Sequence, residues 1–233
     1  MSNKECELDN IIKKDLNRTY NEYTQIFDTN NKENIIDEQN RLQRILRAYS
    51  HFDKEVGYTG GMNFIVISLL LNLNPQNDRE VEIIDNSFEE NVFWIFVHIM
   101  LQKNWRLLFL DGTPGIFQIL DKFDIKLQQE LPQIRQKIID CGLSVYICFP
   151  QYFFTILLYN SPKNFQKRVI DLFLFKGEEA LMQIIINMLN FCQDIILKIE
   201  DTEDIMQFLR KGIMIKCQNI LKFEQDEEQY LVC

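Results

Sequence analysis

Residues 61–73 and 182–197 of this chain are apolar on nearly every side of a helical projection. A surface helix carries one apolar stripe and one polar face, so a helix apolar all round must be enclosed by other elements. Two such segments in 233 residues require a multilayer helical protein. The punctuation agrees: Gly and Pro number only 8 and 5, and most of them fall at the ends of periodic segments. The pattern predicts helices over residues 7–20, 38–52, 61–73, 88–102, 114–129, 132–141, 151–159, 163–176, 178–198, 202–211 and 214–224. Thr113-Pro114 and Ser161-Pro162 each read as an N-cap followed by Pro at the first helical position. Asp201 with Asp204 reads as a capping pair, and Gly142, Gly177 and Gly212 as C-caps. Residues 145–149 are β-branched and aromatic, but a lone strand has nothing to pair with. The expected class is all-α, with polar loops over 28–37 and 74–88 and a solvated acidic tail over 223–230.

The chain is long enough for one or two domains and a substantial core. Its net charge of −9 argues against nucleic acid and anionic lipid as partners, because both need clustered Lys and Arg. The N-terminal residues are polar rather than leader-like. No apolar run approaches the ~18 residues of a membrane span, so no direct membrane insertion is expected. The six cysteines show no C-x-x-C pairing, and Cys141, Cys148 and Cys192 sit in apolar surroundings. Buried, reduced thiols and a cytosolic setting are expected. Cys233 is the last residue, so it does not match a prenylation box.

Several chemistries are missing. There is no G-x-x-x-x-G-K-[ST], so the chain is not expected to be a nucleotide hydrolase itself. His51 and His98 are the only histidines and form no H-E-x-x-H, so no metal site is expected. His98 lies in Trp94-Ile95-Phe96-Val97-His98 and reads as a core or interfacial residue. Gly57, Gly60 and Gly61 follow no strand, which excludes a dinucleotide fingerprint. They read most simply as a turn and a close helix start.

Two short patterns remain. Residues 53–63, Asp-Lys-Glu-Val-Gly-Tyr-Thr-Gly-Gly-Met-Asn, lead from a charged turn into the apolar helix 61–73. Upstream, Ile12, Asp15 and Arg18 recur every three residues and share one side of a helix. Asp15 can pair there with Arg18 at i,i+3. By itself this second pattern also fits an ordinary amphipathic helix with a surface ion pair.

Ala48-Tyr49-Ser50, Val56-Gly57-Tyr58 and Gly61-Met62-Asn63 together resemble the signature of TBC-domain Rab GTPase-activating proteins. Further motifs follow in that family's order: Glu90-Asn91-Val92-Phe93-Trp94, Trp105-Arg106-Leu107-Leu108-Phe109, Leu131-Pro132, Tyr152-Phe153-Phe154-Thr155 and Arg168-Val169-Ile170-Asp171. Tyr152 and Ile170 each replace a family tryptophan. The resemblance covers roughly residues 11–210, judged by motif order. It implies an all-α, multi-helix TBC fold over 11–222, a polar extension over 1–10 and an acidic tail over 223–233. The family's helices carrying Arg-x-x-x-Trp, which normally precede the arginine motif, have no counterpart. A reduced domain, a truncated sequence, or a partner covering that side would each account for this.

The resemblance also implies an activity. Arg18 matches the catalytic arginine finger, inserted in trans into the nucleotide site of a GTP-bound Rab, and Asp15 would orient it. Tyr58, Thr59, Gly61 and Asn63 would form the GTPase-contact surface. Gly60 stands where the family carries a glutamine that positions the attacking water. The chain would be a regulator with no cofactor of its own, since Mg and GTP belong to the GTPase. It would act in the cytoplasm on vesicle traffic, recruited to endomembranes through the Rab. The alternative is a noncatalytic adaptor that binds a GTPase or another protein on the same fold, as the loss of the glutamine at position 60 suggests.

Overall fold

The computed structural model describes residues 8–16, 19, 32–73, 87–159 and 161–217. Residues 8–16 form helix α1, and Thr19 is also helical. The order continues α2 (Lys32–Phe52), α3 (Met62–Leu73), α4 (Ser87–Gln102), a 3-10 turn (Trp105–Leu108), α5 (Pro114–Glu130), α6 (Pro132–Asp140), α7 (Val145–Cys148), α8 (Pro150–Phe154), α9 (Lys163–Lys176), α10 (Glu178–Phe191), α11 (Gln193–Ile196) and α12 (Thr202–Gln207). A π turn (Phe208–Gly212) and helical residues 213–217 follow. No strand occurs among the described residues.

The all-round apolar segment 61–73 is the centre of one half. Every residue of α3 from Met62 to Leu71 is buried, with α2, α4 and α9 packed around it. The second segment expected to be enclosed, 182–197, instead divides into α10 and α11 and is only one-sidedly buried. Its α10 packs on α5 and α9, while the segment's polar positions Asn187, Asn190 and Asp194, with Phe191, face outward. One continuous core runs through both halves. Trp105 joins them: its indole N–H donates to Phe153 O at 3.2 Å, and its ring meets Phe173 edge-on at 4.7 Å. The buried polar tip thus finds a partner while the ring fills the core.

Several local expectations need correction. The helix expected from 38 starts at Lys32, because the polar residues before 38 are Lys, Glu, Asn and Asp with no Gly or Pro to stop it. The part of the 28–37 loop before Lys32 lies outside the described residues, as do residues 74–86, residues 218–224 of the last expected helix, and the acidic tail. Residues 145–148 are a helical turn, not a strand. The helix expected over 151–159 begins at Pro150 and stops at Phe154, since Ile156 and Leu157 take φ of 51° and 57°. Such backbone is unfavourable for a β-branched residue. Here burial of both side chains and a bond from Leu157 N–H to Tyr152 O at 2.7 Å hold it.

The segment 178–198 breaks at Cys192. Ser161 is not a cap: its hydroxyl is buried and donates back to Leu157 O, and Pro162 occupies the N-cap. Thr113 makes no side-chain cap bond. Asp201 does cap, accepting from Glu203 N and Asp204 N at 2.8 and 3.0 Å. Gly142 and Gly177 follow α6 and α9 with positive φ, whereas Gly212 lies inside the π turn. His98 is on the exposed face of α4 rather than in the core. Cys148, Cys192 and Cys217 are buried free thiols and Cys141 a half-buried one.

Gly115 marks the closest backbone approach between α5 and the 3-10 turn. A Cβ there would lie 2.7 Å from both the carbonyl carbon and Cβ of Leu107, and backbone cannot rotate away as a side-chain tip can. Gly115→Ala is therefore expected to destabilise the fold by about 1–3 kcal/mol, read as a lower midpoint in urea denaturation.

Candidate functional site

The loop between α2 and α3 is built around Asp53. Its backbone N–H continues α2 by donating to Tyr49 O at 2.9 Å, and its carbonyl accepts from Gly57 N–H at 2.8 Å. Its carboxylate accepts from Tyr49 Oη at 3.1 Å and Val56 N–H at 3.3 Å. Arg106, on the 3-10 turn, grips both carboxylate oxygens, Nε to Oδ2 at 2.6 Å and Nη2 to Oδ1 at 3.1 Å, and also reaches Glu55. The planar guanidinium fork suits this two-point contact.

Arg106 and the neighbouring donors hold the Asp53 carboxyl below the usual aspartate range. Burial, reinforced by the adjacent Asp53 charge, pushes the Tyr49 phenol upward. Because the folded pKa of Asp53 is depressed, the contribution of its carboxylate is fully present above the unfolded value. It is lost as pH falls through the folded value. Stability is expected to decline from about pH 4 downward, and Asp53→Asn should flatten that part of the profile. Thermal melts across this range check it. Arg106→Ala leaves a buried carboxylate without its main partner and should cost on the order of 1–3 kcal/mol at neutral pH.

From this anchor the loop reaches α1. Tyr58 is buried, and its hydroxyl donates to Asp15 Oδ2 at 2.9 Å. Asn63, in the first turn of α3, is fully buried. Its Oδ1 accepts from Gly61 N–H at 2.9 Å and its Nδ2 donates to Thr19 Oγ1 at 2.6 Å. Thr19 Oγ1 in turn donates to Asp15 O at 2.6 Å. Two separate clasps thus pin positions 15 and 19 to the signature loop. Gly61 stands at φ 108°, and a Cβ there would meet the Phe109 ring at 3.4 Å and Phe154 O at 3.5 Å. Its conformation and its close neighbours both favour glycine.

Asp15, Tyr58, Gly60, Gly61 and Asn63 therefore come together, while Arg18 lies outside the described residues. Tyr58, Gly61 and Asn63 are buried and hold the loop from within, so Thr59, half-buried, and Gly60, exposed, are the residues that face outward. The sequence reading missed Asp53, Arg106 and Thr19. Thr19 directly follows Arg18, but nothing in a single hydroxyl residue marks it as a partner of Asn63. No metal-binding cluster occurs among the described residues.

Gly60 differs from Gly61. It does not have the positive φ that would require glycine, and among the described residues a Cβ there would meet Asp15 Oδ2 alone, at 3.7 Å. That is an ordinary van der Waals distance, so a side chain at position 60 fits beside the Asp15 carboxylate. Gly60→Ala should keep the fold and raise stability by about 0.4–1 kcal/mol through the unfolded chain, measurable as a higher denaturation midpoint.

Residues 1–197 match the family model described as Rab-GTPase-TBC domain. The chain is 29% identical over 206 residues to the GTPase-activating protein GYP5 of Saccharomyces cerevisiae, covering 88% of this chain and 20% of that protein. It is 27% identical over 208 residues to the Ecotropic viral integration site 5 protein homolog of Homo sapiens, covering 89% of this chain and 23% of that protein. The chain thus spans about a fifth of the length of these relatives. Among solved structures, it superposes on the flagellar RabGAP TBC domain of Chlamydomonas with a TM-score of 0.69 at 20% identity, over 93% of this chain and 64% of that one. The YPT/RAB-GAP domain of Gyp1p gives a TM-score of 0.68 at 16% identity, over 95% and 74%. At such identities the superpositions carry the fold, a helical TBC architecture.

Proposed function

The chain belongs to the Rab-GTPase-TBC domain family, and on that ground we propose that it stimulates GTP hydrolysis by a GTP-bound Rab. The observation that carries this reading is the pair of clasps at Asp15 and Thr19. They tie Asp15 and Thr19, which flank Arg18 in the sequence, to the signature loop. In this reading Arg18 enters the Rab nucleotide site in trans and neutralises charge developing on the γ-phosphate and the leaving oxygen. An arginine supplied in this way is worth roughly 10³–10⁵ in rate. Asp15, itself held by Tyr58, orients the guanidinium. Thr59 and Gly60 lie on the side that meets the GTPase, while Tyr58, Gly61 and Asn63 shape that side from beneath. Mg and GTP arrive with the Rab, and the chain needs no cofactor of its own. It works in the cytoplasm and reaches endomembranes through the GTPase it binds, as a regulator of vesicle traffic.

Gly60 favours a second reading, a noncatalytic adaptor that docks a GTPase without accelerating it, since glycine has no side chain to orient water. Single-turnover hydrolysis on a panel of Rab proteins separates the two. The first reading predicts acceleration of at least one Rab and its loss, by roughly 10³ or more, in Arg18→Ala, with Arg18→Lys a poor substitute. Binding of a GTP-loaded Rab with no acceleration would favour the adaptor.

A further inference from the structure

We infer that Gln151 supplies the side-chain amide that position 60 lacks, an inference that rests on the Rab-activating reading above. Gly60 and Gly61 border an open cleft of about 390 Å³, whose other walls include Phe64, Phe154 and Gln151. Among the described cleft-lining residues, Gln151 alone carries a side-chain amide. It sits one turn before Phe154 and Thr155 on α8, and this spacing puts all three on one helix face. That face abuts the loop, since the Phe154 carbonyl would lie 3.5 Å from a Cβ on Gly61.

The backbone at Gln151 is held firmly. Its carbonyl accepts from both Thr155 N–H at 3.1 Å and Thr155 Oγ1 at 2.8 Å. The next two residues anchor α8 at two points of the core. Tyr152 Oη donates to Leu209 O at 2.6 Å, and Phe153 O accepts from the Trp105 indole. The Gln151 side chain is half-buried and makes no hydrogen bond to any described residue. A spare amide on a fixed helix and the bare position 60 therefore border the same cleft.

An amide suits the task because it offers an acceptor and donors together. In the reaction, water oxygen bonds to the γ-phosphorus while the bond from that phosphorus to the β-phosphate oxygen breaks. The water proton leaves with inorganic phosphate, and GDP is the other product. Gln151 transfers no proton. Its Oε1 accepts a hydrogen bond from the attacking water and its Nε2 donates to a γ-phosphate oxygen. That aligns the nucleophile with the phosphorus.

The test is Rab GTP hydrolysis with the full chain and four variants: Gln151→Ala, Gln151→Glu, Gly60→Gln, and Gly60→Gln combined with Gln151→Ala. Melting curves establish that each is folded. Gln151→Ala and Gln151→Glu are expected to lower kcat by on the order of 10² and leave KM within about twofold. The combined variant should recover, because the new glutamine replaces the lost one. Unchanged acceleration by folded Gln151→Ala would overturn the inference and leave the Rab-activating reading standing. Activity only after Gly60→Gln would also overturn it, showing that Gln151 does not serve in the natural chain. If neither the natural chain nor Gly60→Gln accelerates any Rab, the activating reading fails and this inference with it.

Discussion

The burial of α3 constrains the rest of the fold. A helix whose residues from Met62 to Leu71 are all buried has no face to offer to solvent, so its polar groups must find partners inside. Asn63 carries that burden at the first turn. Leaving its amide unpaired would cost about 1–3 kcal/mol. Its two bonds, from Gly61 N–H and to Thr19 Oγ1, satisfy it and also position the site. The requirement that stabilises the core is thus the one that brings α1 to the signature loop. The same logic applies at Asp53, a largely buried carboxylate that keeps its charge because Arg106 and two other donors surround it. Packing and site geometry share these bonds, so altering one should disturb the other.

The two glycines at positions 60 and 61 show how differently one residue type can be used. Gly61 is demanded by its φ and by the close approach of Phe109 and Phe154. Gly60 is demanded by neither. Among the described residues, glycine at position 60 is thus no conformational necessity, and the position borders the cleft that Gln151 also lines.

Much of the fold was legible in the sequence because the signal was periodic and strong. The all-round apolar segment 61–73 lies in the interior as α3, whereas 182–197, read the same way, keeps an exposed face at Asn187, Asn190, Phe191 and Asp194. Turn chemistry was less legible. Ser161 precedes Pro162 with the spelling of an N-cap, yet its buried hydroxyl turns back toward Leu157 O. Ile156 and Leu157 read as helix and are left-handed, held by long-range burial that no local pattern records. At the site, short motifs located Asp15, Tyr58 and Gly60, whose neighbours in space are neighbours in pattern. Arg106 is separated from Asp53 by a sequence distance at which charge spacing carries no information. Gln151 carried no signal, because its place beside Gly60 on one cleft is set by the fold and not by any local pattern.

The central claim is that the clasp from Tyr58 to Asp15 serves catalysis through Arg18, and a double-mutant cycle on Rab GTP hydrolysis tests it most directly. Tyr58→Phe removes one hydroxyl and keeps the ring that fills the core. The account predicts that it lowers kcat in the natural chain and changes nothing further once Arg18 is alanine, because the two positions act as a unit. Equal fractional losses in both backgrounds would contradict it, and would mean that Tyr58 supports the fold without helping to place the arginine.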